Sequence, residues 1–271
     1  MDPFIIQLLA RILFANNDFQ TFYHLISSNH SSYALLESSL NNLNLPHHTS
    51  DSFSPRPYAN IVLLAIEYNC PPLFHFAIKH GFNDWNWGFC RACERGHLYI
   101  SRVFINKCAG DISGGLYFGC KGGHLDLVQF LVEEGVRDWN VGLCGACRGG
   151  YLNITQLMID KGAKNWNWAL CGACCGGSIE LAQLMVNKGA SDWNEGLRAA
   201  CRGGHLELAL LMIDRGANNW ESGLQIACNN GHLELARLMI NKGANNIKDV
   251  LARCVCLKPE IRDYLQSFLS S

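Results

Sequence analysis

Apolar residues along this chain fall in short bursts of helical period, and the bursts come in pairs. In the stretch Trp193–Asn219, Leu197, Ala200 and Cys201 stand at i, i+3 and i+4, which predicts a short helix from about Gly196 to Arg202. Gly203-Gly204 ends it, because glycine tolerates the left-handed conformation at a helix C-terminus. A second helix is predicted over Leu206–Arg215, with Leu208, Leu211 and Met212 as its apolar stripe, Arg215 in its last turn and Gly216 as its stop. Asn194, like Asn86, Asn140 and Asn167, precedes the first helix and reads as its N-cap.

The pair recurs every 27 residues. Cys93, Cys120, Cys147, Cys174, Cys201 and Cys228 hold one phase. Trp85, Trp139, Trp166, Trp193 and Trp220 hold a second, with Ile112 in the missing slot, and Gly135, Gly162, Gly189, Gly216 and Gly243 a third. Self-similarity at such a period is the signature of a solenoid. The units are 58–84 (degenerate), 85–111, 112–138, 139–165, 166–192, 193–219 and 220–246, and 247–271 reads as a C-terminal cap with Pro259 opening its second helix. Residues 1–57 do not hold the phase. Residues 4–28 read as a helix pair broken at Asn16-Asn17-Asp18 and 41–57 as a surface loop, so 1–57 is taken as an N-terminal helical cap and loop. The fold class is all-α: a helical solenoid of short helix pairs with a cap at each end.

Composition removes other classes. Of 271 residues 49% are hydrophobic and 17% charged, too apolar for a disordered chain. Lys plus Arg is 22 and Asp plus Glu 23, a net charge of −1 that argues against a surface built for nucleic acid or membrane. No apolar run approaches the roughly 20 residues of a membrane span. Asp2 and Arg11 do not suit a signal peptide, so a cytoplasmic location is expected. The 14 cysteines are therefore not read as a disulfide scaffold.

Gly-Gly-His-Leu-Glu-Leu-Ala (203–209) and Gly-His-Leu-Glu-Leu-Ala (231–236), with Gly-Ala-Asn closing each unit at 216–218 and 243–245, resemble ankyrin repeats over roughly 58–271. The form Trp-Asn-x-Gly-Leu-x-x-Ala-Cys is similar to the ankyrin proteins of giant DNA viruses. Two features depart from the family: the unit is shorter than its roughly 33 residues, and Thr-Pro-Leu-His does not occur. The missing residues fall where the family has its projecting hairpin finger. The resemblance implies protein–protein recognition without catalysis or cofactor, through a concave surface of first helices. On the viral resemblance the partner is a host protein in the cytoplasm.

Chemistry is sought first in the cysteines. Cys90/Cys93, Cys144/Cys147 and Cys171/Cys174 are Cys-x-x-Cys pairs, and a metal-binding or redox-sensing protein is the alternative function. Equivalent residues on stacked helices stand about 8–10 Å apart, however, too far for four sulfurs around zinc or for a disulfide. The second cysteine of each pair occupies the family's small alanine slot and reads as core. His97, His124, His205 and His232 recur in the helix-connecting turn, where the resemblance implies a hydrogen bond to the turn backbone. No P-loop, dinucleotide turn or His-Glu-x-x-His motif occurs, so neither a catalytic nor a metal residue is nominated.

Partner contacts are sought in columns that vary between units, on the reasoning that fixed columns are structural. The Trp ladder is fixed and reads as packing, but Trp87 and Trp168 stand where other units have Gly114, Val141, Glu195 and Ser222. Three first-helix columns vary: Cys90, Tyr117, Cys144, Cys171, Arg198 and Gln225; then Arg91, Phe118, Gly145, Gly172, Ala199 and Ile226; then Glu94, Lys121, Arg148, Cys175, Arg202 and Asn229. The candidate partner-binding residues are Trp87, Arg91, Tyr117, Phe118, Lys121, Arg148, Trp168, Arg198, Arg202 and Gln225. Lys121, Arg148, Arg198 and Arg202 make a basic stripe that is either a solvated surface or a seat for an acidic peptide segment. A nucleic-acid duplex fits it less well, since the chain is nearly neutral.

Overall fold

The structure, a computed structural model, describes residues 59–67, 69, 71–79, 82–107, 111–254 and 257–269. The cap and loop expected over 1–57 lie outside these residues. Among the described residues every regular element is an α-helix. The helices are α1 (Ala59–Glu67), α2 (Pro71–Lys79), α3 (Trp85–Glu94), α4 (Leu98–Asn106), α5 (Ile112–Gly122), α6 (Leu125–Glu133), α7 (Trp139–Gly149), α8 (Leu152–Asp160), α9 (Trp166–Gly176), α10 (Ile179–Asn187), α11 (Trp193–Gly203), α12 (Leu206–Asp214), α13 (Trp220–Asn229), α14 (Leu233–Lys242), α15 (Ile247–Arg253) and α16 (Pro259–Ser267). First helices begin at 85, 112, 139, 166, 193 and 220 and second helices at 98, 125, 152, 179, 206 and 233, each series advancing by 27.

The chain divides into two compact units, residues 1–115 and 116–271, with the division inside α5. In the first unit α1 packs on α2, α3 on α4, and α1 against α3. Phe104 of α4 is the hub of an aromatic core. Its ring centroid lies 4.7 Å from that of Phe74, 6.2 Å from Trp85 and 6.5 Å from Phe89. Gly88 makes room for it, since a Cβ there would run into the Phe104 ring.

In the second unit successive first helices lie side by side and each carries its own second helix. Leu143, Leu170, Leu197 and Leu224 from first helices, with Met158, Met185, Met212 and Met239 from second helices, are fully buried. The sulfur of Met158 fills the space left by Gly142, and Met212 and Met239 do the same at Gly196 and Gly223. The glycine in the fourth position of these units is therefore a seat for a methionine.

The first helix starts three residues earlier than expected, at the tryptophan, and its cap is not Asn194. Asp138, Asn165, Asp192 and Asn219, each just before the Trp, accept from the backbone N–H three residues on: Val141, Trp168, Glu195 and Ser222. The asparagine after the Trp turns instead to the next loop. Asn140 Oδ1 accepts from the N–H of Lys164 and Asn165 (2.8 and 2.9 Å), Asn167 Oδ1 from Ser191 and Asp192 (2.8 and 3.1 Å), and Asn194 Oδ1 from Asn218 and Asn219 (2.9 and 3.0 Å). Each side chain thus satisfies two donors of a loop only five residues long, which fixes the spacing of one unit on the next. Replacing Asn167→Ala orphans both donors and is expected to cost about 2 kcal/mol. A fall in thermal midpoint, with Asn→Ala at exposed Asn187 as the neutral reference, checks it.

Candidate functional site

Ordinarily a glycine inside a helix weakens it. Here Gly145, Gly149, Gly172, Gly176 and Gly203 do a different job: a Cβ on each would strike the backbone carbonyl of Tyr117, Lys121, Cys144, Arg148 and Cys175 respectively, always 28 residues back. For Gly172 the distance to Cys144 O would be 2.5 Å. The backbones of α5, α7, α9 and α11 thus touch along a line of small residues, the arrangement that small-x-x-x-small spacing permits. This corrects the reading of the second variable column. Gly145, Gly172 and Ala199 are buried, the two glycines against the backbone of the preceding helix, and they are closed to a partner.

The close approach meshes the other two columns into one strip. Arg148 donates from Nη1 to the Tyr117 hydroxyl one unit back, at 3.2 Å. Tyr117 meets Phe118 edge to face, centroids 5.1 Å apart, and the Lys121 ammonium stands 5.7 Å from the Phe118 centroid. Charge on Arg148 is felt at Cys144, and charge on Arg202 and Arg198 at Cys171. Arg198 forms an ion pair with Glu195 of its own helix, with Nε buried and unpartnered. Arg202 is exposed, and Gln225 lies half-buried on α13. Tyr117, Phe118, Lys121 and Arg148 are thus one cluster, while Glu195, Asp192, Arg202 and Arg198 act electrostatically on Cys171 one unit along. Burial raises the Tyr117 hydroxyl above its usual range, against the pull of Arg148.

Two nominated residues belong to the first unit: Arg91 is half-buried and paired with Glu94 at 2.7 Å, and Trp87 is 40% exposed. Trp168, at the start of α9, is 41% exposed. The ladder tryptophans are half-buried. Trp85 packs on Phe82 and Phe104, and Arg137 and Arg215 lie over Trp139 and Trp193 at 5.7 and 5.9 Å.

The column cysteines are core residues. Cys120, Cys147, Cys174 and Cys201 are inaccessible, and burial pushes each thiol up to about 12. Cys93 and Cys147 also reach the two buried hydroxyls of the second helices, Ser101 at 3.6 Å and Thr155 at 3.9 Å. Half-buried Cys90 and Cys171 are pushed to about 11 by burial and then by nearby carboxylates, Asp111 and Glu195 foremost. Such thiols are protonated at neutral pH and poor nucleophiles or ligands. Among the described residues no three His, Cys, Asp or Glu side chains gather as a metal site. The histidines depart from expectation in their partner. His205 and His232 make no cap bond in their own turn, and their rings cover Gly177 and Gly204 of the preceding unit. His232 Nε2 lies 3.3 Å from the Arg202 carbonyl oxygen.

Residues 219–250 match the ankyrin repeat family, whose repeats are generally protein–protein interaction modules. Among solved structures, the human ASB11 ankyrin repeat domain is similar, with 20% identity over 66% of this chain and 96% of that chain and a TM-score of 0.42. No curated protein matches the chain. Among the described residues no helix is long and apolar enough to cross a membrane.

Proposed function

We propose that the protein is a non-catalytic recognition scaffold whose first-helix face binds an acidic segment of a protein partner. The observation that carries this reading is the meshed strip of α5, α7, α9 and α11. Backbone contact fixes the spacing of these helices, which carry Tyr117, Phe118, Lys121, Arg148, Arg198 and Arg202, with Glu195 paired to Arg198 and with Asp192 just before α11. Rigid aromatic and arginine side chains lose little entropy on binding and are the residue types that dominate interface energetics. Trp168 adds an exposed aromatic on α9 and Gln225 a polar side chain on α13; Trp87 and Arg91 are proposed as contacts of the first unit by itself. The partner this reading proposes is a host protein of the cytoplasm, on the likeness of the Trp-Asn-x-Gly-Leu-x-x-Ala-Cys unit to giant-virus ankyrin proteins. Lys121→Glu, Arg148→Glu and Arg202→Glu together reverse the strip's charge at positions that do not enter the core. Capture of partners from cells with wild type and with this variant is the test. Partners lost from a variant of unchanged circular dichroism are the expected result, and their retention removes the strip from recognition.

A further inference from the structure

The second helices present an edge that the first-helix strip does not use. Each opens on an aliphatic residue: Leu125, Leu152, Ile179, Leu206 and Leu233. The column two residues on (Leu127, Ile154, Leu181, Leu208 and Leu235) is at most 1% exposed and supplies the core. The opening column does not. Leu152, Ile179 and Leu206, on three consecutive units, are 46%, 45% and 42% exposed, and exposed Tyr151 and Leu210 flank them. A helix start is a place for polar, capping residues, and the core gains little from an aliphatic left half in water. A contiguous line of such side chains marks a contact surface.

From α6 to α12 the charge along this edge has one sign, and on α14 Glu234 is paired with Arg237. In the first six residues of α6, α8, α10 and α12 the only charged side chains are Asp126, Glu180 and Glu207. Successive packed helices stand about 8–10 Å apart, and two turns of an α-helix rise about 10.5 Å over seven residues. A helix laid across the units therefore sets one residue per heptad on each rung.

We propose that this edge docks a basic amphipathic helix of a protein partner, with heptad-spaced aliphatic side chains on Leu152, Ile179 and Leu206 and its Lys or Arg side chains beside Asp126, Glu180 and Glu207. This surface is built by the second helices, and the strip by the first helices. The probe is a three-heptad synthetic peptide with Leu on one face and Lys flanking it, compared with the same peptide carrying Glu for Lys, titrated into the methyl-labelled full chain and followed by NMR. The Lys peptide shifts the methyl signals of Leu152, Ile179 and Leu206, and the Glu peptide does not. Affinity falls about tenfold or more in Leu152→Ser/Ile179→Ser/Leu206→Ser and severalfold in Glu180→Gln/Glu207→Gln, which leaves the apolar column intact and serves if the serine variant misfolds. Absence of binding, equal binding of both peptides, shifts confined to other methyls, or unchanged affinity in the glutamine variant overturns the proposal.

Discussion

Raising the pH from 8 to 10 is expected to destabilise the protein severely, through cysteines that do no chemistry. Cys120, Cys147, Cys174 and Cys201 sit near 12 in the fold against 9.0 for an ordinary thiol, because burial penalises the thiolate. A group whose pKa is raised by folding contributes stability that is intact below the unfolded value and lost as pH climbs towards the folded one. The window therefore opens near pH 9. At pH 10 each such thiol costs on the order of 1 kcal/mol, so the four together cost several kcal/mol, a large part of the stability of many domains. The double variant Cys174→Ala/Cys201→Ala places in those slots the alanine that the resembling family has there, and it touches neither Ser101 nor Thr155. It removes about half of that penalty, so its thermal midpoint falls several degrees less between pH 8 and pH 10 than that of wild type. An equal fall in both proteins means that the column thiols do not set alkaline stability.

Gly172→Ala is expected to destabilise by about 2 kcal/mol, the opposite sign from the usual gain of about 1 kcal/mol for this change inside a helix. The added Cβ would lie 2.5 Å from the Cys144 carbonyl oxygen, a backbone atom fixed in α7 that cannot rotate away. To admit it, α9 must move off α7 and the meshing of the strip loosens. A fall of roughly 4–8 °C in thermal midpoint follows, together with weaker partner binding although Gly172 touches no partner. A rise in midpoint contradicts close backbone contact between the first helices.

Period and element type were legible in the sequence, because repeated Gly-x-Leu/Ile turns and a 3.6-residue apolar stripe leave few alternatives over 85–246. The second helix of the 193–219 unit was expected over Leu206–Arg215 and stands at Leu206–Asp214. The start of the first helix was misread because Asn194 and Asp192 are both competent caps by residue type. The next loop decides between them: its Asn218 and Asn219 N–H groups need an acceptor, and Asn194 Oδ1 accepts from both. Variation between units also failed as a guide to exposure, in both directions. Gly145 and Gly172 stand in a variable column yet are buried by helix contact, and Leu152, Ile179 and Leu206 stand in a fixed column yet face water. The first failure had a readable signal, Gly145-x-x-x-Gly149 and Gly172-x-x-x-Gly176. The second had none, because a lone sequence gives no measure of which side of an amphipathic helix its first residue shares.

The central claim, recognition through the first-helix strip, is tested most directly by photo-crosslinking from defined positions. A benzoylphenylalanine in place of Arg202 or Trp168 samples the strip side, and one in place of Lys161 or Lys188, beyond the ends of α8 and α10, samples a surface with no role in the account. Irradiation in cells is expected to give the same covalent partner adduct from Arg202 and Trp168 and none from Lys161 or Lys188. Adducts arising from Lys161 or Lys188 while the strip positions stay silent would contradict the account.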